Sequence, residues 1–333
     1  MRPYDILGVG SACVDMVYRV DDDFLQSIGI KKGDGQRAEW DIFSSVIEKC
    51  KTRGYTPLIS TGGSASNTIK GLASLGNSAA FYSKVGNDEF GAFCRKTYHK
   101  LGIKTLLTTS DLPTTQIAVF VTEDHQRTFL SFSGASSLMP EDPLTSQNFE
   151  NVRLMHIEGY LLDELSIPYV EKVMTLAKSQ KAIVSLDLGC PRIAKTFSAE
   201  ILHLLKTAVD IVIGNANEVQ ELVNLPQKDG CAALAKYGPI TIVLNGKDGC
   251  WVGHNNEVFS SPATKVDVID TTGAGDLFAC GFLHGYLKGY NLPDCAWLGN
   301  LLGGAAVSTL GAEIPDHKWT DLKKAIAFHF NDL

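Results

Sequence analysis

Ala182-Ile183-Val184-Ser185-Leu186 and Val209-Asp210-Ile211-Val212-Ile213 are short, apolar, β-branched runs, and Ile201 to Lys206 between them carries a helical pattern. Strand, helix and strand in that order predict a βαβ unit. The alternation continues outward on both sides. Arg153 to Ile157 is strand-like and Ile167 to Lys178 helical; further on, Glu218 to Leu225 is helical and Ile240 to Leu244 is another apolar run. Strands without polar alternation are buried on both faces, so a mostly parallel sheet covered by helices on each side is expected. Tyr4 to Gly10 reads as its first strand. The C-terminal third reads as helical over Gly275 to Lys288, Asp294 to Leu310 and Trp319 to Phe330.

Two stretches break this rhythm. Val14 to Lys32 mixes β-branched residues with the acidic turn Asp21-Asp22-Asp23 and leads to Gly33 and Gly35. Thr115 to Ser133 holds two alternating runs, Gln116 to Val121 and Arg127 to Phe132, around the polar turn Glu123-Asp124-His125-Gln126, a hairpin signal. Pairing of the two stretches predicts a small sheet, about 14–40 and 112–135, standing off a single domain that spans 1–333. Such a sheet has a face that needs cover, so a lid over a substrate is expected.

Of the 333 residues, 44% are hydrophobic and 20% charged, which fits a packed protein rather than a disordered one. The net charge of −7 argues against a nucleic-acid or anionic-membrane partner, and a phosphorylated ligand therefore needs a local site. No apolar run approaches the ~18 residues of a membrane span. The start, Met1-Arg2-Pro3-Tyr4-Asp5, enters a strand too brief for a signal sequence. The eight cysteines are scattered without a Cys-x-x-Cys pair, as expected for reduced thiols in a cytoplasmic protein.

Several familiar motifs are missing or incomplete. Gly8-Val9-Gly10-Ser11-Ala12-Cys13 opens like a dinucleotide fingerprint, but Cys13 occupies the sixth position and Asp15 comes too early for a ribose-binding acid. No Walker-type Gly-x-x-x-x-Gly-Lys loop occurs, and the histidines lack zinc spacing.

Thr61-Gly62-Gly63-Ser64-Ala65-Ser66-Asn67-Thr68 precedes the apolar positions Ile69, Leu72, Ala73 and Leu75. A glycine turn and a capped helix start account for it; so does a site where a ligand approaches backbone and Asn67 handles a hydroxyl. Asp270-Thr271-Thr272-Gly273-Ala274-Gly275-Asp276 is more specific. Small residues before a helix leave N–H groups at its positive end, an anion-binding concavity. Asp276 lies in that first turn, where the dipole favours its ionised form. Phosphoryl transfer needs charge stabilisation, positioning and an acceptor for the hydroxyl proton, and this segment offers each.

Together, Gly62 to Asn67 and Asp270 to Asp276 resemble the two signatures of the ribokinase-like (pfkB) carbohydrate kinases, and the resemblance covers essentially the whole chain. It implies a ribokinase-like three-layer α/β/α sandwich with a small β-sheet lid, using ATP and Mg²⁺. Carried over, Asp276 is the general base and the Gly273, Ala274 and Gly275 amides form the anion hole. Asp15, Gly62, Gly63, Ser64, Asn67 and Glu158 match acceptor-binding positions. Asn215-Ala216-Asn217-Glu218 matches an Asn-x-x-Glu element, with Asn215 and Glu218 organising Mg²⁺ and phosphates through water. Helix capping by Asn215 is the competing explanation of those residues. Asn245, Gly246 and Lys247 resemble a loop over the nucleotide, and Asn300 an adenine-side residue. Asp267 and Ile269, with the Gly311 loop, match a segment that can hold a monovalent cation such as K⁺.

Ser64 stands where ribokinases proper tend to carry Lys, which points away from ribose. The opening Val20-Asp21-Asp22-Asp23-Phe24-Leu25 and the strand Thr128 to Phe132 are similar to bacterial adenosine-kinase-like members, and Phe120, Phe129 and Phe132 offer aromatic faces to a base. An adenosine-like acceptor is therefore expected. A ketohexose or sugar acid (fructokinase-like or 2-keto-3-deoxygluconate kinase-like) is the alternative, and an inactive sensor a third. Members of such a family can pair through the lid, so a monomer or a homodimer joined there is expected.

Overall fold

The computed structural model describes residues 4–330 apart from His125, Asp142, Pro143 and Leu310. Met1 to Pro3, the His125 tip of the expected turn and the end of the helix read to Leu310 therefore lie outside the described residues. The first half of the chain contains β1 (Tyr4–Val9), β2 (Cys13–Arg19), α1 (Asp22–Ile28), β3 (Gly35–Arg37), α2 (Trp40–Thr52), β4 (Leu58–Gly62), α3 (Ser64–Ser74), β5 (Ala79–Gly86), α4 (Glu89–Lys100), β6 (Lys104–Ser110), β7 (Thr115–Val121) and β8 (Arg127–Phe132). Then come β9 (Val152–Glu158), α5 (Leu161–Glu164), α6 (Ile167–Ser179), β10 (Ile183–Asp187), α7 (Pro191–Thr196), α8 (Ser198–Thr207), β11 (Ile211–Asn215), α9 (Ala216–Val223), α10 (Gln227–Ala235), β12 (Ile240–Leu244), β13 (Cys250–His254), β14 (Glu257–Ser261), α11 (Ala274–Lys288), α12 (Leu292–Val307) and α13 (Asp316–His329).

Nine strands form one sheet in the order β14-β13-β12-β11-β10-β9-β1-β5-β6. From β12 to β6 every neighbouring pair is parallel; β13 and β14 add an antiparallel edge. Successive side chains of a strand point to opposite faces. Ile6, Leu154, Ile211 and Ile242 accordingly join one core with α3, α11 and α12. Their neighbours Leu7, Met155, Val212 and Val243 join another with α6, α8, α9 and α10. The continuous apolar runs follow from that double burial. Strand order reverses around β1, between β9 and β5, and ligands of open α/β sheets bind beyond the carboxyl ends at such a point.

The second sheet runs β3-β8-β7-β2-β4, with β7 and β8 forming the expected antiparallel hairpin. Three features differ from the sequence expectation. Asp21 accepts a hydrogen bond from the Phe24 amide at 2.7 Å and caps α1, so the acidic run starts a helix instead of a turn. A further helix, α2, buries Phe43, Val46 and Cys50 against this sheet's outer face, which is therefore covered by the chain itself. The sheet also takes in β4, beyond the boundaries 14–40 and 112–135, so it ends where Gly62 and Gly63 begin. All eight cysteines are free thiols. Among the described residues no helix is long and apolar enough to cross a membrane.

Candidate active site

A cleft of about 1020 Å³ lies between the carboxyl ends of the large sheet and the inner face of the small one. Its floor is made where β1 ends and β9 ends. Glu158, 2% exposed, accepts from the Ser11 amide through one oxygen and the Ala65 amide through the other, both at 2.8 Å. It lines the cleft while bracing two backbone turns.

The turn from β4 into α3 requires its glycines. Gly63 has φ of 99°, and a Cβ there would sit 2.1 Å from the Ser11 carbonyl oxygen. A Cβ on Gly62 would lie 2.4 Å from both carboxylate oxygens of Asp15. Asp15, on β2, therefore occupies the space that Gly62 leaves. Burial pushes its carboxyl up to about 6, against the pull of Lys70. The Cys13 thiol also donates to it, at 3.7 Å.

Asp276 is the third residue of α11 and sits opposite this turn. Ser64 Oγ donates to its Oδ1 at 2.8 Å and Asn67 Nδ2 to its Oδ2 at 2.9 Å; Thr68 Oγ1 donates to its carbonyl at 3.0 Å. Burial raises the Asp276 carboxyl above the usual range, opposed by those two side-chain donors and by Lys70. Asn67 Oδ1 is buried with no hydrogen-bond partner.

Gly273 turns the chain into α11 at φ of 72° and lines the cleft with Ala274 and Gly275. The Ala274 amide is directed to the Thr271 carbonyl at 3.3 Å, so of the three expected anion-hole amides this one is already engaged. Asp270 holds the loop. Its Oδ1 accepts from the Thr272 amide at 2.8 Å and its Oδ2 from the Gly311 amide at 2.7 Å, and it pairs with Arg127 of β8. Burial pushes the Asp270 carboxyl up, yet these donors outweigh it and hold it below its ordinary value. The ion pair joins the small sheet to the loop before α11.

Across the cleft, Asn215 and Glu218 form the helix cap that was the competing explanation. Asn215 Oδ1 caps α9, and Glu218 returns the favour by accepting from the Asn215 amide at 2.7 Å and from its Nδ2 at 2.5 Å. Both residues also line the cleft. Burial pushes Glu218 up to about 7. Asp187, at the end of β10, is raised well above its usual value by burial and then by the charges of Glu218 and Asp276. Among the described residues no three His, Cys, Asp or Glu side chains converge as direct metal ligands.

Other expected positions are placed differently. Asn300 is buried: its Nδ2 donates to Ser261 Oγ at 3.0 Å and the Ser261 carbonyl at 3.3 Å, tying α12 to β14. Phe120 is turned away from the cleft. It packs against Tyr18 and Phe24 on the far side of the small sheet, because alternation puts Ile117, Val119 and Val121 on the cleft face instead. Phe129 does line the cleft, whereas the Phe132 ring, on the same face as Phe120, packs against Trp40 and Phe43 of α2. Half-buried Asn245 and exposed Gly246 and Lys247 form a short turn after β12, adjoining the cleft through Leu244. Ile269 lines the cleft, its amide bonded to the Val307 carbonyl at 2.7 Å, while Asp267 is exposed beside it.

Sequence reading passed over Asp187, Arg127 and Tyr160, which all line the cleft. Asp187 had a signal, a lone carboxylate closing an apolar strand, since carboxyl ends of parallel strands face the ligand. Arg127 had none, because its partner is more than 140 positions away.

The model of the pfkB family carbohydrate kinases matches residues 24–319 of the chain. Among solved structures, the fold is similar to a probable sugar kinase protein from Rhizobium etli CFN 42, with a TM-score of 0.88 and 29% identity, covering 100% of both chains. It is likewise similar to the adenosine kinase from Sinorhizobium meliloti, with a TM-score of 0.87 and 30% identity, covering 97% of this chain and 99% of that one. An uncharacterized sugar kinase of Archaeoglobus fulgidus is 28% identical, covering 73% of this chain and 96% of that one.

Proposed function

Since the chain belongs to the pfkB family of carbohydrate kinases, and is an ATP-dependent kinase of a sugar or nucleoside, we propose that Asp276 deprotonates the hydroxyl of an adenosine-like nucleoside. The observation that carries this reading is the seat of Asp276. Both carboxylate oxygens are held by side chains of α3, and the Asn67 Oδ1 beside them is buried without a partner. An acceptor hydroxyl supplies the donor that this oxygen lacks, next to the base that takes its proton. Burial that raises the pKa strengthens Asp276 as a base, while Lys70, Ser64 and Asn67 favour its ionised form.

Gly273 and Gly275, at the positive end of α11, are proposed to receive the transferred phosphoryl group. Asp15, in the space left by Gly62, is proposed to hold further acceptor hydroxyls. A nucleoside is supported by the small sheet's inner face, where Ile117, Val119, Val121 and Phe129 offer an apolar surface suited to a base. A sugar acid would call for a free cation, but Arg127 and Arg192, which line the cleft, are paired with Asp270 and Asp163.

Members of this family use ATP, typically with Mg²⁺. The donor set fits a hard cation: Glu218 is a buried and Asp187 a half-buried oxygen donor, both at raised pKa, and a nearby dication would relieve their desolvation. With Glu218 already engaged by Asn215, contact through water is the proposed mode. Mg²⁺ would supply charge neutralisation for the phosphates. The Val307 carbonyl accepts from the Ile269 and Asp270 amides, and the Gly311 amide holds the Asp270 carboxylate; this bracing supports, as a further proposal, a monovalent cation near the Asp267 and Ile269 carbonyls. A coupled ADP-release assay over adenosine and other nucleosides, ketohexoses and sugar acids tests the acceptor. Turnover on ketohexoses or sugar acids with none on nucleosides refutes the nucleoside assignment.

A further inference from the structure

Lys70 is buried, 6% exposed, on α3 one turn beyond Asn67. Its ammonium donates to the Thr61 carbonyl at 2.7 Å, to Thr61 Oγ1 at 3.0 Å and to Glu313 Oε1 at 2.6 Å. Thr61 adjoins Gly62, the residue that makes room for Asp15. Glu313 belongs to the loop whose Gly311 amide binds Asp270 Oδ2 and whose Ala312 lies so close to Gly273 that a Cβ there would come within 2.7 Å of it. Lys70 thus reaches from the first glycine-rich segment to the loop that braces the second.

We propose that Lys70 is a positioning residue for phosphoryl transfer, tying the helix that holds Asp276 to the loop that braces the anion hole and keeping a positive charge behind Asp276 and Asp15. The inference rests on the reading of Asp276 as base. Burying an ammonium is costly, and apolar residues of similar volume commonly replace buried ion pairs at no loss of stability. A purely mechanical tie therefore does not need the charge. Glu313 is half exposed, so its screening of Lys70 is incomplete and a net positive field remains. The groups whose charges act on or are acted on by Asp276 are Asp15 on β2, Lys70 on α3, Tyr160 after β9, Asp187 on β10 and Glu218 on α9. Lys70 lowers the carboxyl of both Asp15 and Asp276, against a surrounding set otherwise made of acids.

The test is the pH profile of kcat/KM for Lys70→Met and Lys70→Arg, with saturating ATP and Mg²⁺. Loss of the cation makes Asp276 harder to ionise, so in Lys70→Met the acid limb moves up by roughly one pH unit. Its kcat at neutral pH falls by about tenfold, with the KM for ATP little changed. Lys70→Arg restores the limb. A lowered Tm with the limb unmoved reduces Lys70 to a structural tie and overturns the proposal. Should Lys70→Met fail to fold, Glu313→Gln carries the test: the unscreened ammonium moves the limb down, and an unmoved limb overturns the proposal. Asp276→Asn separates the two levels. If it keeps full turnover the base assignment fails; if it loses turnover while the lysine and glutamate variants leave the limb in place, only the role of Lys70 fails.

Discussion

Asn67 Nδ2 donates to Asp276 Oδ2 at 2.9 Å across 209 positions of sequence, so the two glycine-rich segments are joined directly. The bond orients the carboxylate and leaves Asn67 Oδ1 buried without a partner. Two helix N-termini, α3 and α11, are brought face to face by packing in a single core.

Asp276→Asn keeps the shape of the seat and removes the proton acceptor. The expected result is a fall in kcat by about 10²–10⁴-fold with the Kd for ATP nearly unchanged, measured by steady-state kinetics and calorimetry. Unchanged turnover would discard the mechanism.

Gly62→Ala places a methyl group 2.4 Å from the Asp15 carboxylate oxygens. Overpacking of this kind costs about 1–3 kcal/mol and displaces Asp15. The acceptor KM should rise by roughly tenfold or more, while ATP binding stays near normal. An unaltered acceptor KM would show that Asp15 does not touch the acceptor.

Burial raises Glu218 to about 7 and also raises Asp187 and Asp15. A carboxyl whose folded pKa lies above its unfolded value stabilises the fold below the unfolded value and loses that contribution as pH rises through the folded one. Stability of the ligand-free protein should therefore decline between about pH 4.5 and 7, each pH unit of separation being worth about 1.4 kcal/mol. Thermal unfolding across this window reads the slope. In Glu218→Gln the slope should flatten; an identical slope would assign it to other groups.

Arg127→Ala breaks the ion pair between the small sheet and the loop before α11, leaving Asp270, whose side chain is fully buried, with its two backbone donors. A stability loss of about 2–3 kcal/mol is expected, with faster proteolysis of the small sheet and a raised acceptor KM. Native-like proteolysis and KM would remove the pair from any part in holding the cleft closed.

Asn300→Ala distinguishes the buried bridge from an adenine contact. The loss of its bonds to Ser261 should cost about 1–3 kcal/mol in chemical denaturation with the KM for ATP unchanged. A raised KM without loss of stability would return Asn300 to the nucleotide site.

The βαβ rhythm was legible because burial on both faces writes itself into each strand as an unbroken apolar run, as in Ile183–Asp187 and Ile211–Asn215. Helix α2 was equally encoded, with Phe43, Val46 and Cys50 at helical spacing, yet its proximity to an expected lid obscured it. Asn215 and Glu218 show a limit of another kind. A capping box and a cleft-lining pair use the same atoms, and sequence reads the first without knowing what the helix end faces.

The sequence by itself determined the alternation of strands and helices, the glycine turns at Gly63 and Gly273, and the carboxylate at the start of α11, because dihedral preference, capping and periodicity act over a few residues. Only the tertiary structure decided which face of the hairpin meets the cleft, so that Phe120 is core and Phe129 is not. It also set Asp187 beside Glu218 and anchored Lys70 to Glu313. A buried polar group takes whatever partner global packing delivers, and those partners lie tens to hundreds of residues away.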